Sequence, residues 1–362
     1  MFFCLSSDRN NIIDLFRIIA AIAVIGIHTR VLKSISFEAD FFFCDILCRW
    51  AVPYFAVCSG FFLAKKLKVS NDRVVIDDSV KKEFCRRAFH ALLLYCLWSI
   101  LFFFVLLAGW IHNGQDLLKE CTNWFRLFLT GKSYYHLWYL LQLFCSYCYL
   151  FLILKFTRIR CFPFFIALFW LFGITVYVYY EVIPFGAVRT ISHTCRSVGA
   201  VICSIGQILP LMMTGFCLAK MNINKIVYLY WGGVISFICL CSEVYWLRNL
   251  GAMRFSYVLF TLPFAFFLFG VLNQIGHNCF VSLKQRVSFA KLSAIVYFLH
   301  PLILRICSFV NIQHSVILFA LVTTVTFCIS LLYLLLRQNF DNRKSLIRQG
   351  ERSNRNLQKG LF

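Results

Sequence analysis

The sequence predicts an all-α fold, a polytopic integral-membrane bundle of about ten transmembrane helices with both termini cytoplasmic. Three observations carry this. Of the 362 residues, 61% are hydrophobic and only 14% are charged, against about 45–50% and about 25% in an ordinary soluble domain. The apolar residues gather into runs of about 20, the length that crosses a bilayer as a helix. None of the runs alternates with period two, as the strands of a membrane barrel would. Backbone groups in lipid must be satisfied within their own segment, so each run reads as a helix. The same composition excludes a soluble globule, a disordered chain and a collagen-like fibre.

In chain order the runs fall at 11–29, 41–64, 89–109, 136–155, 161–181, 197–219, 226–247, 254–274, 288–309 and 315–336. The stretch 110–135 is polar apart from Trp124 to Thr130, which reads as a short interfacial helix. The first run resembles a secretory signal in one respect, the small-x-small triplet Ala21-Ile22-Ala23. However, it continues to Ile27 and holds Asp14 and Arg17. A signal h-region has no use for an ion pair, so a retained helix is expected. There is no internal repeat and no low-complexity tract. The expected division is a transmembrane domain over 1–336 and a basic cytoplasmic tail over 337–362.

The charge is one-sided, with 36 Lys and Arg against 15 Asp and Glu, a formal balance of +21. In a soluble protein this would suggest nucleic acid. Here the cations sit in the connections and the tail, where they read as topology and contact with anionic lipid, and no nucleic-acid partner is expected. With the N-terminus inside, the cytoplasmic side takes Arg9, the group from Lys65 to Arg87, Lys155, Arg158, Arg160, Lys220, Lys225, Lys284, Arg286, Lys291 and the tail. That is more than twice the number outside, where Arg30, Lys119, Arg189 and Arg248 are typical. The 18 Cys lie almost entirely within apolar runs and form no paired CxxC pattern. They read as small hydrophobes, without a disulfide framework or structural metal.

Ionisable groups inside a span cost about 2.5–3.5 kcal/mol each on insertion scales, so they mark candidate sites. In the first run, Arg17 and His28 are eleven residues apart and share a helix face, about 16 Å apart along the axis. Asp14, three residues before Arg17, joins that face, and small residues (Ala20, Ala21, Ala23, Gly26) lie between. As an alternative, Asp14 and Arg17 would be a topology anchor and His28 an interfacial residue. Late in the chain, Ser293, Tyr297 and His300 share a face, and Pro301 should bend the helix. A third stripe, Tyr135, Tyr139, Gln142 and Ser146, follows His136; it reads equally as an aromatic belt at a span end. A fourth group is the run from Val52 through Ser59-Gly60 to Leu63, followed by the basic connection ending in Arg86-Arg87. Upstream of it, Asp45 and Arg49 form an i, i+4 pair. The basic connection reads either as positive-inside charge or as a site for a phosphate-rich ligand, since Arg forks bind phosphate bidentately.

Together these segments resemble the membrane-bound acyltransferase family 3. Arg17 and His28 match its Arg, ten residues, His signature in the first helix. Val52 to Leu63 resembles its second-helix run with Ser-Gly, and Arg86-Arg87 its basic stretch entering the third helix. His136-Leu137-Trp138-Tyr139-Leu140 is similar to its His/Trp/aromatic segment, and Ile295 to Pro301 to its late Tyr-x-x-His-Pro element. The elements occur in order along nearly the whole chain. The chain departs in carrying Arg17-Ile18 where the family has Arg-Gly, and its tail is too short for the extracytoplasmic hydrolase-like domain of some members.

The resemblance implies an O-acyltransferase of the bacterial plasma membrane, moving an acetyl or short acyl group from acyl-CoA to a sugar hydroxyl of a surface polysaccharide or glycolipid. Acetyl-CoA is then a donor substrate, and no bound cofactor or metal is expected. His28 is the candidate general base, its ordinary pKa of about 6.5 suiting that task. Arg17 would hold a CoA phosphate or polarise the thioester carbonyl. His300 and Tyr297 would position the acceptor or stabilise the oxyanion, while Asp14, Tyr139 and Gln142 would line the substrate path. Arg86 and Arg87 would meet the nucleotide phosphates. Two rival readings use the same residues. One is a transporter or exporter of a polysaccharide or small anion, which would normally carry an internal repeat. The other is a b-type haem protein with His28 and His300 as axial ligands.

Overall fold

The computed structural model describes residues 11–222, 225–278, 288–310 and 312–359. Arg9, Lys284 and Arg286, counted above among the cytoplasmic cations, lie outside the described residues. The described chain is a bundle of α-helices. Eight segments are long and apolar enough to cross a membrane, and a bent helix pair makes a ninth.

The first span is α1 (Asn11–Thr29). The second is composite: α2 (Phe37–Phe41) runs through a π-helical stretch, Phe42–Leu47, and a turn into α3 (Ala51–Ala64). Pro53 falls in the first turn of α3, where a missing N–H breaks no helix bond. A small antiparallel hairpin follows, β1 (Val69–Ser70) and β2 (Arg73–Val74), its turn made by Asn71 and Asp72 at φ +49° and +61°. Two successive left-handed residues give the twist a tight hairpin needs, and Asn and Asp tolerate them well. Next comes α4 (Asp78–His112), 35 residues long. Asp77 caps it, accepting from the Val80 amide at 2.8 Å. That amide and the Ser79 hydroxyl hold the Asp77 carboxyl below its ordinary range. On α4, Phe89, Leu93, Leu97, Ile100 and Phe104 are exposed at steps of three and four, while Phe84, Ala88, Tyr95 and Phe102 are buried. A contiguous apolar stripe turned outward is the signature of a lipid-facing surface.

The interfacial helix expected at Trp124 to Thr130 is present and longer: α5 (Leu117–Leu129) starts two turns earlier, capped by Asp116, and buries none of its residues. Then follow α6 (Trp138–Phe156), α7 (Phe162–Tyr177) and α8 (Gly186–Val198). The short helix α9 (Ala200–Gly206) meets α10 (Ile208–Lys220) at a 42° bend. The remaining helices are α11 (Ile226–Asn249), α12 (Thr261–Asn278), α13 (Phe289–Ser308) and α14 (Ser315–Lys359). The apolar part of α12 is shorter than the other spans. No break in α14 marks residue 336, where the sequence divides span from tail.

Among the boundaries that differ from the hydropathy reading, two are tied to tertiary contacts. The run 197–219 is broken where Gly206 meets Gly173 of α7 backbone to backbone, leaving no room for a Cβ on either. The run 254–274 becomes helical only at Thr261. Before it, the Leu259 and Phe260 amides donate to the Glu243 carboxylate of α11 at 2.7 and 3.0 Å, and Tyr179 donates its hydroxyl to the same group. Packing is closest between α3 and α10, where Gly60 lies on the Met212 backbone and Gly215 on that of Val57. Small residues at a crossing let two membrane helices approach in this way. On α1, Ala20, Ala21, Ala23 and Ile25 are buried, so this helix too is part of the core.

Candidate functional site

Three imidazoles meet near the end of the bundle where α1 finishes. His28 lies one residue before the end of α1. Its ring stacks on that of His300 at 5.4 Å and 24°, and lies 4.7 Å from the ring of Tyr135. His300 is fully buried on α13. Pro301 follows it and supplies no N–H to the helix, and the His300 ring turns back so that Nδ1 lies 3.2 Å from the Val296 carbonyl. A carbonyl only accepts, so Nδ1 carries the hydrogen and Nε2 of the neutral ring presents a bare lone pair. That Nε2 is buried with no hydrogen-bond partner among the described residues. The third imidazole, His136, sits in the turn before α6 and is 1% exposed. Its ring is 5.9 Å from His300 and 5.8 Å from Tyr297. Neither of its nitrogens has a partner among the described residues. The Tyr297 hydroxyl donates to the His136 carbonyl at 2.8 Å and fixes the turn against α13.

An unpaired buried polar atom costs about 1–3 kcal/mol, and native proteins keep few of them. Three such ring nitrogens in one cluster are therefore a feature that needs a purpose. His136 belongs to the motif quoted above but carries no role there, because a His beside Trp138 and Tyr139 at a span end reads as an interfacial belt. Its sequence signal is its place at the head of that motif, before Leu137-Trp138-Tyr139-Leu140.

At the opposite, basic end a second polar group forms. Asp14 and Arg17 are paired at 3.0 Å. The Arg17 guanidinium lies 4.8 Å from the Phe62 ring centroid and beside Cys58. The carbonyl of the same Phe62 accepts from Arg87 at 3.4 Å, so one residue carries both guanidiniums. Arg87 also pairs with Glu83 at 2.8 Å, and so do Arg86 at 2.6 Å and Lys66 at 3.0 Å. Three cations on one carboxylate leave a local excess of positive charge. The arrangement can hold a polyanion, with Arg forks for phosphate.

Arg17 and His28 are not brought together. They keep the separation of about 16 Å that eleven helical residues dictate. Tyr139 lies between the two groups, with Ser59, Cys58, Tyr147 and Tyr297 about it, and its ring is 6.2 Å from that of Tyr297. Gln142 turns elsewhere, donating to Gln207 at the α9–α10 bend at 2.9 Å. Ser293 bonds within its own helix to the Ala290 carbonyl. The stacked His28 and His300 rings do not aim at a common atom, which is at odds with axial ligation of a haem iron. Among the described residues no group of three or more His, Cys, Asp or Glu side chains is placed to hold a metal.

The family model described as an acyltransferase domain matches residues 10–335. Among curated proteins, two described as amino-acid racemases of Enterococcus faecalis are 33% and 30% identical over 137 and 128 residues, covering 36% and 35% of this chain and 18% and 16% of theirs. A serine/alanine racemase of Enterococcus gallinarum is 31% identical over 134 residues, 36% of this chain and 18% of its own. The chain thus covers under a fifth of the length of these curated relatives. No solved structure matches it.

Proposed function

The chain belongs to the acyltransferase family whose domain covers residues 10–335, and from that premise we propose that it moves an acetyl or other short acyl group from a coenzyme A thioester to a sugar hydroxyl of a surface polysaccharide or glycolipid, in the bacterial plasma membrane. The reading rests chiefly on one observation: bare, buried ring nitrogens of His300 and His136 beside His28. Acyl transfer to a hydroxyl needs a proton acceptor at the nucleophile and a donor at the developing oxyanion. The cluster supplies both kinds of group without committing them to other partners.

The donor enters from the basic, cytoplasmic end. Its phosphates meet Arg86 and Arg87, with Arg17 further along the same path. The pantetheine arm then runs past Asp14, Cys58 and Tyr139 towards the imidazoles, a stretch of about 16 Å along α1 at the helical rise per residue. There the acceptor hydroxyl loses its proton to His28 as its oxygen bonds to the thioester carbonyl carbon. His300 can only accept at Nε2, so it orients the sugar through a neighbouring hydroxyl. A ring N–H of His136 faces the oxyanion of the tetrahedral intermediate. Collapse breaks the carbon–sulfur bond, and the CoA thiolate takes back the proton from His28. Tyr297 holds the His136 turn in register throughout.

The reading is tested by incubating membranes with labelled acetyl-CoA and a panel of glycan acceptors. Label should pass to a glycan with the parent chain and not with His28→Ala, at equal amounts of inserted protein. Unchanged turnover in His28→Ala would remove that imidazole from the reaction, and absence of transfer to every hydroxyl acceptor would remove the reading.

A further inference from the structure

One polar pair from the sequence, Asp45 with Arg49, has no part in the reaction described above, yet it lies beside the imidazoles. The π-helical stretch Phe42–Leu47 turns Asp45 so that it pairs with both Arg30 and Arg49. Arg30 also pairs with Asp40 at 2.7 Å, and Asp40 is fully buried. Two guanidiniums thus face two carboxylates, and the cluster carries no net charge. Arg49 further donates to the Ser256 hydroxyl at 3.0 Å, which brings the next residue, Tyr257, to the same place. Arg49 lies within electrostatic reach of both His28 and Tyr257, and Tyr297 within reach of Tyr257.

Two donors here are unmet. The Arg49 Nε–H and the Tyr257 hydroxyl are buried and have no hydrogen-bond partner among the described residues. Tyr257 is only 4% exposed. Its ring is flanked by the indoles of Trp138 at 6.2 Å and Trp170 at 6.1 Å. The Trp170 N–H is itself committed, to the Leu259 carbonyl. A buried tyrosine hydroxyl normally finds a partner, and one left open within electrostatic reach of an open guanidinium N–H asks for a ligand oxygen.

We propose that Arg49 and Tyr257 form a subsite that anchors the acceptor and selects an uncharged, polyhydroxylated one. The proposal rests on the acyltransferase reading and deepens it. The Arg49 Nε–H donates to a ring or hydroxyl oxygen of the ligand, and the Tyr257 hydroxyl donates to or accepts from a second one. An acidic acceptor is disfavoured, because Asp40 and Asp45 already neutralise both guanidiniums and a buried carboxylate would add an uncompensated charge. The subsite would hold the sugar so that another of its hydroxyls meets His28.

Direct binding tests this without relying on turnover. The full chain in lipid nanodiscs is titrated calorimetrically with methyl hexosides and with the matching methyl hexuronides, in parallel with acetyl-CoA. At least one neutral hexoside should bind more tightly than its uronide. Tyr257→Phe, which removes only an unpartnered hydroxyl and should fold normally, should weaken hexoside binding about tenfold, as should Arg49→Lys, with acetyl-CoA binding unchanged. Preference for the uronides, unchanged hexoside affinity in Tyr257→Phe, or no hexoside binding at all would overturn the subsite. Hexoside binding that depends on Tyr257 but is never followed by acyl transfer would leave the subsite standing and overturn the acyltransferase reading instead.

Discussion

Arg86 and Arg87 are neighbours in sequence and both pair with Glu83, but they should contribute unequally to donor binding. The Arg87 side chain is 18% exposed and lies against the Phe62 carbonyl, whereas that of Arg86 is 49% exposed. A shielded, charge-assisted hydrogen bond to a phosphate is worth about 1.5–3 kcal/mol, which corresponds to roughly 10- to 150-fold in affinity. An exposed ion pair is worth about 0.2–1 kcal/mol, or no more than roughly fivefold, and salt screens it. Arg87→Ala should therefore raise the KM for acetyl-CoA by at least about tenfold, and Arg86→Ala by a few-fold at most. The Arg86 effect should fade as ionic strength rises, while the Arg87 effect should largely persist. The assay is initial-rate kinetics at fixed saturating acceptor, over a salt series. Equal effects from the two substitutions, or a fall in kcat with KM unmoved, would refute the placement of the donor phosphates at this end.

Other consequences follow from the packing and from the imidazole cluster. His136→Phe should leave thermal stability unchanged or improved, because it removes two unpaired buried nitrogens, yet lower kcat about 100-fold, the usual loss of an oxyanion donor; a melting curve and single-turnover rates check both halves. Gly60→Val should destabilise the fold by about 3 kcal/mol, the upper end of the usual overpacking cost, by driving a side chain into the Met212 backbone, visible as loss of monodisperse protein on size-exclusion chromatography. Glu243→Gln should cost about 1.5–3 kcal/mol by weakening the carboxylate that gathers the Leu259 and Phe260 amides and the Tyr179 hydroxyl, read as a lower melting temperature in detergent.

Hydropathy located nearly every span, because the requirement that lipid places on a helix is local: enough apolar residues in a row. Helical periodicity likewise placed Arg17 and His28 on one face, and Tyr297 with His300 on another. What could not be read was set by partners distant in the chain. The break at Gly206 coincides with its contact on Gly173, and the late start of α12 with the bonds to Glu243. His136 was hidden by its aromatic neighbours, since a His among Trp and Tyr at a span end looks interfacial until His300 and Tyr297 are found against it. Tyr257 lay within an apolar run that hydropathy takes as helix, whereas it stands in the loop that Glu243 and Arg49 hold open. The link between Arg17 and Arg87 through Phe62 joins residues 70 positions apart in sequence and has no local signature.

The central claim is that one chain takes its thioester at the basic end of the bundle and delivers the acyl group at the imidazole end. Sealed vesicles reconstituted with the protein, with labelled acetyl-CoA confined to the side bearing Lys66, Arg86 and Arg87 and a membrane-impermeant sugar acceptor confined to the other, measure this directly. Labelled ester should form on the far side, abolished by His28→Ala and reduced by Arg87→Ala. Ester formed only when donor and acceptor share a compartment would contradict it.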